Sequence, residues 1–63
     1  MDEVGIILVN PQEENRVKNA FRKDSRMAPY ENLITPCVYV DKGSILAVNA
    51  KNKLMQLNFD IGG

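Results

Sequence analysis

The sequence predicts an α+β fold in the order β-α-β-β-β, a four-stranded sheet with one helix on one face. Three observations carry this. An apolar, β-branched run, VGIILVN, stands near the start. A capped, amphipathic helical pattern follows it directly. After the helix, three short apolar segments are separated by turn-forming residues.

Val4 to Asn10 is apolar on both faces, as expected of a buried central strand. Gly5 within it marks a weak point or a close backbone approach. The helix is expected over Asn10 to Pro29. Asn10 suits the N-cap, Pro11 the first turn, and Glu13 stands where a capping box places its acid. Glu13 and Glu14 favour the positive end of the helix dipole, and Arg22, Lys23 and Arg26 the negative end. Val17, Ala20, Phe21 and Ala28 fall at helical spacing on one narrow inward face. Pro29 biases Ala28 away from helix and closes the element.

Tyr30 to Leu33 reads as a connector and Ile34 to Val40 as the second strand, with Pro36 near its start. Asp41-Lys42-Gly43 reads as a hairpin turn, Gly43 taking positive φ. Ser44 to Ala50 is the third strand, Lys51-Asn52 a two-residue turn, and Leu54 to Ile61 the fourth strand. Met55, Leu57, Phe59 and Ile61 alternate with Gln56, Asn58 and Asp60. A two-residue turn sets Met55 opposite Val48 and Leu57 opposite Leu46. In that register Ile45 and Ala47 fall on the sheet face away from the helix, near Tyr39 or Val38.

The 63 residues read as a single domain, residues 1–63. Ordering such a chain costs about 1.5 kcal/mol per residue, which one small core barely offsets. With one cysteine, Cys37, and no histidine, neither an internal disulfide nor a Cys/His zinc site can assist. Oligomerisation is the remaining aid, and a homodimer its simplest form. Eight basic and eight acidic residues give no global attraction to nucleic acid or membrane. Ile6 to Val9, the longest apolar run, is far too short to span a bilayer. The start MDEVG lacks a basic signal-peptide region, and a cytoplasmic protein with a reduced thiol is the expectation.

The chemistry narrows by exclusion. Without histidine there is no imidazole base, Ser-His or Cys-His pair. Cys37 beside Pro36 has no activating neighbour in sequence and reads as a small buried side chain. The four glycines form no phosphate loop, and the scattered carboxylates lack calcium-loop spacing. No enzymatic activity, no cofactor and no metal are expected.

Three features can carry function. Lys18, Arg22 and Arg26 lie at i, i+4, i+8 with Arg16 and Lys23 beside them, a basic stripe able to meet phosphates or an acidic protein patch. The competing reading is a solvated face whose Glu14-Lys18 spacing makes an ordinary ion pair. The uncovered sheet face, through Tyr39, Ile45 and Ala47, can form an interface. The third feature is the terminal FDIGG. It resembles the ending of the ubiquitin-like sulfur carriers of the thiamin and molybdopterin pathways, which close on a strand followed by Gly-Gly. That resemblance covers the last few residues and implies an adenylated C-terminal carboxylate at Gly62-Gly63. The family's β-grasp order opens with a hairpin, whereas one strand precedes the helix here. The leading expectation is a small interaction or regulatory protein, with a protein partner favoured over nucleic acid. A nucleic-acid-binding protein and a sulfur carrier are the alternatives.

Overall fold

The computed structural model describes residues 3–57, Gln56 by its backbone alone. Strand β1, Val4–Val9, runs through the middle of a mixed four-stranded sheet. A 3-10 turn, Pro11–Glu13, leads into helix α1, Glu14–Lys23. A second 3-10 stretch, Ala28–Leu33, joins it to β2, Ile34–Pro36. Strands β3, Ile45–Asn49, and β4, Leu54–Gln56, complete the sheet. The strand order is β2-β1-β3-β4. β2 is parallel to β1, and β3 is antiparallel both to β1 and to β4. The expected α+β class, with its four strands and one main helix, is what the structure shows.

The strand-to-helix corner follows from local chemistry. Asn10 is extended (φ −63°, ψ 138°), and its Oδ1 accepts the Gln12 N–H at 3.0 Å. This satisfies one of the donors that a helix start leaves open, with Pro11 supplying a residue that needs no donor. The Glu13 carboxylate reaches across to accept the Gly43 N–H rather than closing a capping box.

The helix ends at Lys23, six residues before Pro29. Asp24 is the cause. Its backbone is extended (φ −100°, ψ 117°), and its Oδ1 accepts the Arg26 N–H at 2.9 Å. Its carbonyl accepts the N–H groups of Met27 and Ala28 at 3.0 and 2.8 Å. An aspartate that satisfies nearby backbone donors in this way competes with helix continuation. Val17 and Phe21 are buried as expected, whereas Ala20 and Ala28 are only partly so.

Two further expectations are corrected. The second strand stops at Pro36, and Asp41-Lys42-Gly43 does not join hairpin partners. β2 and β3 lie on opposite sides of β1, because the most apolar strand takes the centre and needs neighbours on both edges. Cys37 donates to the Val9 carbonyl at 2.8 Å, extending the ladder one step. Val40 then donates to the Cys37 carbonyl at 3.1 Å, closing a turn. The segment 37–44 thus passes over the end of β1, with Gly43 at φ +87° as its residue type allows. Cys37, expected to be buried, is partly exposed at the start of this turn.

The β3–β4 register is also one residue away from expectation. Lys53 pairs with Asn49 through the Asn49 N–H, at 3.0 Å, so the loop holds three residues, 50–52, instead of two. The buried Asn49 side chain sets this geometry. Its Oδ1 accepts the N–H groups of Lys51 and Lys53, both at 2.9 Å. Asn52 takes φ +63°, as the last position of such a three-residue hairpin loop requires. Met55 therefore stands opposite Ala47, and Leu57 donates to the Ile45 carbonyl at 3.4 Å.

This register places Ile45 and Ala47 on the helix side, where both are buried. They join Val4, Ile7, Val9, Ile34, Val17 and Phe21 in the core, with Met27, Tyr30, Leu33, Met55 and Leu57 packed around it. The expectation that Ile45 and Ala47 line the uncovered face is thereby corrected. Met55 and Leu57 do face the core, as their alternation predicts. Phe59 and Ile61 lie outside the described residues. At Gly5 the β1–β3 ladder is irregular, and a Cβ there would stand 3.3 Å from the Val48 carbonyl oxygen. The close approach expected of this glycine is present.

Candidate interaction surface

Strand alternation decides what the face away from the helix displays. Residues next to the core positions point the other way. They are Ile6 and Leu8 on β1, Leu46 and Val48 on β3, and Leu54 on β4. The ladder makes them neighbours: Ile6 opposes Val48, Leu8 opposes Leu46, and Val48 opposes Leu54. Thr35 of β2 stands beside Leu8 in the parallel ladder. Ile6, Leu8, Leu46 and Val48 are each partly exposed, and Leu54 is 65% exposed. None of the five belongs to the core cluster or packs against it. The result is an aliphatic patch on β1 and β3 that reaches β4 at Leu54, with Gln56 standing opposite Leu46 in the ladder, and none of these strand positions carries a charge.

Sequence alternation foresaw an uncovered apolar face but assigned it the wrong residues. The missing signal was the turn. Had Asn49 been taken as the residue that folds the β3–β4 loop around its own side chain, the parity of β3 would have followed.

Tyr39, the third residue assigned to that interface, is 92% exposed, and its neighbour Val38 is 72% exposed. They form the tip of the turn from Cys37 to Val40. The base of that turn is well held. Cys37 bonds to Val9, Val40 is buried, and Asn10 Nδ2 donates to the Val40 carbonyl at 2.9 Å. Two large apolar side chains are thus presented to solvent at the sheet end where β1 finishes.

The basic stripe is present on the helix side, and much of its charge is answered by acids. Arg16 Nη1 lies 3.8 Å from Glu13, Lys18 Nζ 2.9 Å from Glu14, and Arg26 Nε 3.9 Å from Asp24. Arg22 grips Glu31 with two nitrogens, at 3.2 and 2.6 Å, and also donates to Asn19 Oδ1 at 3.3 Å. The hydrogen bond from Arg22 holds the Glu31 carboxyl below the usual glutamate value, ahead of the smaller pull of the Arg22 and Lys18 charges. The same bond pushes the Arg22 guanidinium pKa up. Lys23 has no ion pair among the described residues. Four of the five basic side chains therefore carry a local acidic partner, which flattens the field a phosphate backbone would feel.

A recess of about 180 Å³ is lined by Glu3, Asn49, Ala50 and Lys51. It is smaller than the ~300 Å³ at which ligand pockets begin, and the Asn49 oxygen within it is already occupied by the turn. Among the described residues no group of three or more His, Cys, Asp or Glu side chains is placed to hold a metal. No helix among them is long and apolar enough to cross a membrane. Gly62 and Gly63 lie outside the described residues. Searches of protein-family models, of curated proteins and of solved structures find no match to this chain.

Proposed function

We propose that this chain is a small, non-enzymatic interaction protein whose working surface is the open sheet face formed by Ile6, Leu8, Leu46, Val48 and Leu54. The observation that supports the reading most is the contrast between the two faces of one sheet. One is sealed by α1, with Ile7, Val9, Ala47 and Phe21 fully or nearly fully removed from solvent. The other is almost as aliphatic, yet its Ile6, Leu8, Leu46 and Val48 are only partly withdrawn from solvent and Leu54 is largely exposed. Aliphatic side chains left partly in water on one face of a small sheet gain free energy when another polypeptide covers them. The balanced net charge and the paired basic stripe favour a protein over a nucleic acid as the partner.

The test is the apparent size of the protein in an extract of the cells that produce it. Gel filtration should place the wild-type chain well above its own 7.1 kDa. A Leu46→Glu variant, placing one charge in the centre of the patch, should shift it to the monomer position. If wild type already elutes as a monomer, or if Leu46→Glu leaves a larger complex intact, the reading is wrong.

A further inference from the structure

We draw no further inference here: the strongest candidate, the exposed Val38-Tyr39 tip of the turn between β2 and β3, is an apolar surface patch on a well-held base, but nothing in the structure shows what covers it.

Discussion

Asn49 fixes the register of the β3–β4 hairpin with one buried oxygen that accepts two backbone N–H groups. Replacing it with alanine leaves Lys51 and Lys53 without that acceptor, and a loss of about 2 kcal/mol is expected in urea unfolding. Asn52, at φ +63°, tolerates the left-handed region that a β-branched side chain resists. Asn52→Val should cost about 1–2 kcal/mol, and Asn52→Gly much less. Asn10 has two tasks, capping the helix start and holding the Val40 carbonyl. Asn10→Ala should cost about 1–2 kcal/mol in the same measurement and should also loosen the 37–40 turn, visible as faster amide exchange at Val40. At this scale the sequence was partly legible. The cap at Asn10 and the positive φ at Gly43 follow from residue type. The role of Asn49 does not, because an asparagine inside an apolar strand looks the same whether it turns outward or folds back on its own loop.

The elements depend on very few large side chains. Phe21 is completely buried between α1 and the sheet. Phe21→Ala should remove about 3–5 kcal/mol, comparable with the whole stability of a domain this small, and should leave the chain largely unfolded by circular dichroism. A second tie joins α1 to the 3-10 stretch after it, through Arg22 and Glu31. Glu31 has its folded pKa depressed, so the tie contributes fully above the unfolded glutamate value near 4.5 and is lost as pH falls through the lower folded value. The Glu31 carboxyl carbon shift in NMR should therefore titrate below 4.5 in wild type and return to the ordinary range in Arg22→Ala. Element identities were readable because a continuous β-branched run gives way to near-four spacing in the helix and then to alternation in the last strand. Element ends were not. Asp24 halts the helix by local hydrogen bonding, and Cys37 leaves the sheet because the chain must cross β1 to reach the free edge where β3 pairs. That crossing depends on which strand takes the centre, a property of the assembled sheet rather than of any segment.

For the whole molecule, the sequence anticipated an α+β sheet with one covered and one open face, and the small core that makes the open face costly. It misassigned which residues form that face, since one residue of loop length exchanges the sides of a strand. The correction leaves the open surface more apolar than expected, with Leu46 and Val48 in place of Ala47 and Ile45. Because Leu46 is only partly exposed, Leu46→Glu should itself cost about 1–2 kcal/mol of unfolding free energy, whereas Leu54→Lys, at a side chain 65% exposed, should change it little while still weakening association. The central claim, that another polypeptide covers this face, is tested most directly in the cells that make the protein. A photoreactive phenylalanine analogue is placed at position 46 or, as a control on the helix side, at position 23. Position 46 is predicted to give a discrete adduct heavier than the chain, whether with a second copy or another protein, and position 23 none. Adducts from position 23 with nothing from position 46 would contradict the account.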